Sequence, residues 1–368
     1  MTEVILKKAE YDYESLRPVV FDIIEATGKN LIKKDSRVII KPNLLLASEP
    51  EKAITTHPLV VKAVVEYVLM KGGRPQISDS PATGTFERVI KKGGFKKNLE
   101  GLDVVFKEFK ETTKLNIGEP FGKIDVARDV VEADVVINIA KLKTHAQMLL
   151  TLGVKNLFGC IVGLKKPEWH FRIGMNRKMF ARLLVQIHNT INPSITIVDG
   201  ILAMEGQGPG KSGLPRHLGI LVGSQNAFAA DYAICSLLGI NPDRLPTNEQ
   251  AKKLGLMSEG IYIKGDFNIV DGFKFPELGP LTFRSKPLNK FMRKYIIQKP
   301  VADNPTCKLC GECVKYCPAK AITSNHKKIF FNYDKCIRCY CCVEICPNGT
   351  LSVKKPVGGK ILSRFKIL

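Results

Sequence analysis

Along most of this chain, short unbroken apolar runs alternate with stretches in which apolar residues return every three or four positions. The runs Val4–Lys7, Val38–Leu46, Pro75–Ser78, Val104–Phe106, Val135–Ala140, Ile195–Ile201 and Leu218–Val222 read as strands. Between them Leu16–Ala26, Pro58–Met70, Phe86–Lys92, Ala127–Ala133, Lys178–Thr190 and Ala227–Leu238 read as helices. Apolar strands alternating with amphipathic helices predict βαβ units and a buried, mainly parallel sheet with flanking helices, an α/β class. The segment from Pro58 carries clear boundaries, with Pro in its first turn and Gly72-Gly73 just past its end. The pattern defines an α/β domain over residues 1–277.

It stops at Leu278. Residues 278–302 hold six bases (Arg284, Lys286, Lys290, Arg293, Lys294, Lys299) and no acid, punctuated by Pro280, Pro287 and Pro300. They read as an exposed basic linker with one short helix at Leu288–Ile297. Residues 354–368 form a basic, acid-free tail. Between them, over 303–353, sulfur concentrates: nine of the 11 Cys fall between Cys307 and Cys346. Cys307-x2-Cys310-x2-Cys313-x3-Cys317-Pro318 is followed by Cys336-x2-Cys339-x2-Cys342-x3-Cys346-Pro347, the same spacing displaced by 29 residues. This spacing resembles the bacterial two-cluster ferredoxin, a small α+β module. The resemblance implies two [4Fe–4S] clusters, one held by Cys307, Cys310, Cys313 and Cys346, the other by Cys336, Cys339, Cys342 and Cys317. Zinc sites use four ligands, usually as separated pairs, and fit two such runs poorly. Cys341 is an extra thiol in the second loop and reads as a non-ligand.

Composition changes little: 45% hydrophobic and 25% charged residues fit a folded globular chain and exclude disorder and collagen-like repeats. No apolar run reaches membrane-helix length and the start lacks a secretory pattern, so the expected compartment is the cytoplasm. Charge changes more. A net +21 attracts anions of any kind. From Asp303 onward, 12 Lys+Arg face 4 Asp+Glu, whereas free ferredoxins of this type are commonly acidic. Bases around anionic clusters stabilise the reduced state and favour docking of an acidic electron-carrier protein of the ferredoxin or flavodoxin type. No zinc-finger, RRM-like or helix-turn-helix pattern supports nucleic-acid binding. Peripheral contact with a membrane stays open through the linker and tail.

In an open parallel sheet, ligands sit beyond the carboxyl ends of the strands. Here those ends run into Lys41-Pro42-Asn43, Asp79-Ser80-Pro81, Lys141-Leu142-Lys143-Thr144-His145 and Asp199-Gly200. Lys41, Asn43, Asp79, Lys143, His145 and Asp199 are therefore the candidate site. Lys143 and His145, two apart, project the same way on a strand and suit binding an anion or moving a proton. Taken singly each reads as a cap or turn residue, Asp199-Gly200 especially, and His57 reads as a packing residue at a helix start. Lys155-Asn156 and His170 follow in and beyond a Gly-punctuated stretch, Gly153–Gly163, that reads as a loop. Glu205–Gly213 tempts a Walker A reading. It fails because Glu205 stands where Gly is needed and Pro215 falls in the required helix, although its amides would suit an anion nest. No GxGxxG follows any strand, so a dinucleotide is not supported.

Lys141-Leu-Lys-Thr-His145, Leu152-Gly-Val-Lys-Asn-Leu-Phe-Gly-Cys160 and Asp199-Gly-Ile-Leu-Ala-Met-Glu-Gly-Gln-Gly-Pro209 together resemble the DUF362 family of iron–sulfur proteins. The resemblance spans roughly residues 1–275 and implies an anaerobic setting; it names no substrate and leaves open whether a flavin or other organic cofactor binds. Cys160 falls in its Phe-Gly-Cys motif and reads first as packing. The expected function is a low-potential oxidoreductase that relays electrons through two cubanes to an anionic substrate or cofactor at the polar rim. The alternative is a non-catalytic electron-transfer subunit or adaptor that docks a redox partner.

Overall fold

The computed structural model describes residues 1–368 apart from 29, 266–267, 279–285 and 365–368, with the side chains of 286–290 and 361–364 left aside. The central sheet has nine strands: β1 (Thr2–Lys8), β2 (Arg37–Pro42), β3 (Arg74–Ile77), β4 (Val105–Phe106), β7 (Val135–His145), β8 (Leu149–Thr151), β9 (Ile195–Gly206), β10 (Gly213–Ser224) and β11 (Ile261–Lys264). β5 (Thr112–Asn116) and β6 (Lys123–Ala127) form a separate hairpin. The strand order is β11-β1-β10-β9-β7-β2-β3-β4, with β8 on β7. Neighbours from β9 to β4 are parallel, as are β1 and β11, while β10 runs antiparallel to both its neighbours. The sheet is mainly parallel, with helices on its faces.

Local chemistry explains the elements. Val38, Ile39 and Ile40 are buried in β2, as a strand covered on both faces requires. The helix Pro58–Met70 starts where His57 Nδ1 accepts the Leu59 amide and Pro58 presets the first turn. The helix Ala227–Leu237 starts where Asn226 accepts the Phe228 and Ala229 amides.

Three stretches depart from the pattern-based reading, each for a tertiary reason. β7 runs on through Lys141–His145, polar but buried along its whole length. Gly153–Gly163 is not a loop: it folds as a helix over Gly153–Asn156 and a 3₁₀ turn over Leu157–Cys160, its first amides accepted by Asp231. Asp199-Gly200 is no turn, because β9 continues to Gly206 and forms a long hairpin with β10.

The cysteine-rich segment folds into two short hairpin-like sheets, β12 (Lys299–Ala302) with β15 (Leu351–Lys354) and β13 (Ile322–Ser324) with β14 (Ile329–Phe331). β12 draws the end of the basic stretch into the module, and the short helix before it spans Lys286–Tyr295. The 29-residue repeat is visible in the backbone. Left-handed φ angles recur at Leu309 and Arg338, at Gly311 and Tyr340, and at Lys320 and Gly349. Two loops of one sequence spacing thus adopt one conformation, and Tyr340 does so at a steric cost that Gly311 avoids.

The module sits on the carboxyl-end rim of the sheet, clamped by the tip of the β9–β10 hairpin. Gln207 Nε2 donates to the Val353 carbonyl (3.0 Å) and Gln207 Oε1 accepts the Val353 amide (2.8 Å), which reads an edge of β15 as another strand would. Ser212 Oγ donates to the Leu351 carbonyl at 2.7 Å. On the other side Thr83 Oγ1 donates to Glu312 Oε2 at 2.6 Å. One glycine of the run that tempted a phosphate-loop reading serves this contact, since a Cβ on Gly210 would lie 2.5 Å from the Glu344 carbonyl oxygen. Gly210→Val is therefore expected to lift the module off the rim. Overpacking of this kind costs about 1–3 kcal/mol, roughly 5- to 150-fold in the docking equilibrium. Limited proteolysis of the linker, faster in the variant at unchanged cluster absorbance, measures it.

Candidate functional site

Because β2, β3, β7 and β9 are parallel, their carboxyl ends meet on one rim, and the module closes that rim into a cavity of about 90 Å³. Lys41, Asn43, Asp79 and Lys143 line it, so four of the six candidates converge. Lys155, Asn156, Lys166 and His170 complete the large-domain wall, and Tyr316, Cys341, Glu344 and Ile345 come from the module. His145 and Asp199 are not among the lining residues.

Lys41 Nζ pairs with Asp79 Oδ1 at 2.9 Å, both buried. Asp79 is held by the Leu44 and Ser80 amides at 2.9 and 2.8 Å. Lys143 Nζ donates to Asn43 Oδ1 (2.7 Å) and to the Ile54 carbonyl (2.6 Å). Asn43 in turn donates to Asn156 Oδ1 at 2.9 Å, and Asn156 to Asn138 Oδ1 at 2.8 Å. A buried amide chain thus fixes the lysine from below. Lys166 Nζ donates to the Ser80 carbonyl at 2.7 Å.

Electrostatically the cavity is short of negative charge. Four lysines (41, 143, 155 and 166) share the wall with two carboxylates, Asp79 and Glu344. Burial drives Lys143 well below the ordinary lysine range, with Lys155 adding to the shift, and lowers Lys166 to about 8. Such ammonium groups hold their protons weakly and gain most from an anion placed beside them. Burial also lowers His145 and His170, to about 4 and about 3, so both rings are neutral near pH 7. For Glu344 burial raises the pKa, but the Nε2 edge of the His145 ring beside it and the Lys155 ammonium outweigh it and hold the carboxyl at about 2. His145 Nε2 lies 2.7 Å from Glu344 Oε1, close but too poorly aligned to count as a hydrogen bond. Its Nδ1 accepts the Gln147 and Met148 amides at 3.1 and 3.2 Å. His145 therefore spans the domain boundary rather than facing the cavity.

Asp199 belongs to a second buried cluster. Its carboxylate accepts Lys141 Nζ (2.8 Å), Tyr11 Oη (2.7 Å) and the His57 amide (2.9 Å), and the rings of Tyr11 and His57 stack 3.6 Å apart. Every charge there is paired, and His57 serves as the helix cap already described. Cys160 is fully buried and its thiol is pushed up to about 12 by burial, the environment of a packing residue. Lys166 and Glu344 went unread in the sequence. Lys166 gave no signal apart from the general excess of lysine, and Glu344 gave only the oddity of an acid inside a cysteine loop.

The module's thiols gather in two groups. Cys313 has Cys310, Cys346 and Cys307 as charge neighbours. Cys342 has Cys339, Cys336, Cys313 and Cys317. Cys317, Cys336, Cys339 and Cys342 enclose a small space whose other walls include Pro300, Ile322 and Phe331. Left alone, the inner thiols Cys313 and Cys342 resist ionisation: burial and the neighbouring sulfurs push Cys313 up to about 11 and Cys342 well above the ordinary thiol range. Thiolates so crowded need a cationic core, which the irons of a cubane supply. Donors to sulfur are in place, with the Ala321 amide 3.2 Å from Cys317 Sγ and Thr350 Oγ1 3.5 Å from Cys346 Sγ. Among the described residues no three His, Cys, Asp or Glu side chains converge as ligands of one ion do; a cubane instead takes one thiolate at each of four separated corners. Cys341 is buried beside Cys342 and faces the large-domain cavity.

A sheet rim capped by such a module defines an iron–sulfur protein with a ferredoxin-type electron-transfer domain, and residues 299–347 match the family described as "4Fe-4S dicluster domain". Residues 38–236 match "Domain of unknown function (DUF362)". The chain belongs to the DUF362 family. It is 36% identical over 287 residues to the "Thylakoid-associated protein sll1697" of Synechocystis sp. (strain ATCC 27184 / PCC 6803 / Kazusa), covering 76% of this chain and 89% of that protein. The lactate racemase apoprotein from Thermoanaerobacterium thermosaccharolyticum aligns with a TM-score of 0.38 at 13% identity. That alignment covers 62% of this chain and 55% of that one, so this chain spans about half that structure's length. Among the described residues no helix is long and apolar enough to cross a membrane.

Proposed function

We propose that the protein is a low-potential oxidoreductase that passes electrons from an acidic one-electron carrier protein, through two [4Fe–4S] clusters, to a small anion held between its domains. The observation that carries this is the cavity itself, walled on one side by four lysines and on the other by Cys341 and Glu344 of the cluster module. Cys307, Cys310, Cys313 and Cys346 would hold one cluster and Cys317, Cys336, Cys339 and Cys342 the other. Filled, each quartet supplies single electrons at a protein-tuned potential.

The large domain's residues supply the rest. Lys143, Lys155 and Lys166 bind the anion, and Asp79 keeps Lys41 in place. Asn43 orients Lys143, whose buried ammonium surrenders a proton readily and so can protonate a reduced product. His145, Asp199 and Lys141 hold the rim in shape rather than touching the anion. The reading is tested by native mass spectrometry of anaerobically purified protein. A stoichiometric small anion released on denaturation supports it; a cavity that takes up no anion points instead to a subunit that only hands electrons to another protein.

The lysine pKa values fix the pH dependence. A bound anion favours the ammonium form, whereas burial favours the neutral amine, so binding takes up protons. With Lys166 lowered to about 8, affinity for an inert probe such as oxalate is expected to fall as the pH rises through that value. Above it, affinity falls by about tenfold per pH unit. Calorimetry across pH 6–10, and the loss of this step in Lys166→Arg, whose guanidinium stays charged, check it.

A further inference from the structure

The two cysteine loops share spacing and backbone but differ at every inner position: Lys308, Leu309, Gly311 and Glu312 in the first are Ile337, Arg338, Tyr340 and Cys341 in the second, and only Arg338 among these eight is a fully buried charge. Arg338 is completely buried. One nitrogen, Nη2, donates weakly to the Arg293 carbonyl (3.3 Å), and its guanidinium carbon lies 5.1 Å from the Tyr333 ring centre. Its Nε and Nη1 have no hydrogen-bond partner among the described residues, and no carboxylate pairs with it there. An unpaired buried cation is costly unless a negative charge stands nearby. Arg338 stands between Cys336 and Cys339 in the chain, and the Tyr333 and Tyr340 side chains both lie within the fields of Arg338 and of the Cys336 sulfur. Arg293 adds a second guanidinium there, donating to the Cys336 carbonyl at 2.7 Å. The first quartet has only an apolar Leu309 at the matching place. A cation near it, Lys211, is partly exposed and therefore screened by water.

We propose that Arg338 is the counter-charge of the second cluster and makes it the higher-potential one of the pair, so that electrons collect beside the anion cavity. The inference rests on the two-cluster reading above. Reduction adds one negative charge to a cluster, and a buried cation at short range stabilises that added charge far more than a solvated one does. Geometry gives the asymmetry a direction. Cys310 of the first quartet is exposed, the side on which a carrier protein can deliver an electron. Of the module residues that line the cavity, Tyr316 and Cys341 are the chain neighbours of Cys317 and Cys342 of the second quartet, and Ile345 alone is that of a first-quartet thiol, Cys346. One electron leaves the reduced carrier, rests first on the outer cluster, and passes to the inner one as the outer returns to its oxidised state. Arg338 is thus a tuning residue that touches neither carrier nor anion.

The test is an EPR-monitored redox titration of the full-length, anaerobically purified holoprotein. The wild type should show two separated one-electron couples. Arg338→Leu, which copies the first loop, should lower the upper couple alone, cutting the reduced-to-oxidised ratio at fixed potential at least tenfold, 59 mV for one electron. Arg338→Lys should restore most of the shift. Should Arg338→Leu fail to retain iron, Arg338→Gln removes the charge at similar size and reach. A single unresolved couple in the wild type, an upper couple unmoved in the neutral variants, or movement of the lower couple would each overturn the proposal. Wild-type protein holding only one cluster would instead sink the two-cluster reading, and iron and sulfide assays on the same sample separate the two failures.

Discussion

Cys317→Ala is expected to remove the second cluster and spare the first, although Cys317 belongs by sequence to the first cysteine run. In the fold its sulfur has Cys339 and Cys336 as charge neighbours, and it lines the same small space as they do with Cys342. Cys346, at the end of the second run, neighbours Cys313 instead. Each run therefore lends its fourth thiol to the other. Iron per chain should drop from about eight to about four in Cys317→Ala, and the remaining signal should match that of Cys342→Ala rather than that of Cys313→Ala. Because Cys313, Cys342 and Cys346 also belong to the module's apolar core, loss of either cluster should loosen it as well. A residual spectrum shared by Cys317→Ala and Cys313→Ala would show that each run closes on itself.

The second large effect concerns the anion. Lys143→Met keeps the length and apolar stem of the side chain while removing the ammonium, which is buried and fixed by Asn43 and Ile54. A charge-assisted contact in so dry a place is worth about 2–5 kcal/mol, so affinity for oxalate should fall roughly 30-fold or more. The fold should survive, since the variant removes a costly buried charge and leaves only the Asn43 and Ile54 oxygens short of a donor. Unchanged cluster absorbance with lost binding is the expected pair of results. Full binding in Lys143→Met would place the anion elsewhere.

Much of this was legible in the sequence, and the limits have physical causes. The cysteine module could be read almost whole because its chemistry is local: eight thiols at fixed spacing encode their own loops. The sheet could be read where both faces are apolar, as at Val38–Ile40 and Val135–Ala140. It could not be read at Lys141–His145, since a polar strand segment is stable only when something far along the chain covers it, and here Glu344 and its neighbours do. Asp199 looked like a partner of the other rim residues because it ends the apolar core of a strand. Only the fold shows that Lys141 and Tyr11 occupy its carboxylate, away from the cavity. The Gly206–Gly213 run suggested a ligand loop by composition, whereas Gly210 admits the module's backbone and Gly208 and Gly213 pack against Thr144 and Met204. Lys166 and Glu344 escaped notice because charge deficit is a property of a closed space, and no window of sequence contains both walls.

In the proposed function, electrons cross from the cysteine module into the cavity. The most direct measurement mixes protein reduced by an acidic two-cluster ferredoxin with the anion released from the native protein, while the visible absorbance of the clusters is followed without oxygen. Rapid return of the oxidised spectrum in the wild type, abolished in Lys143→Met, is the predicted result. Reoxidation at equal rates in both, or none in either, would contradict it.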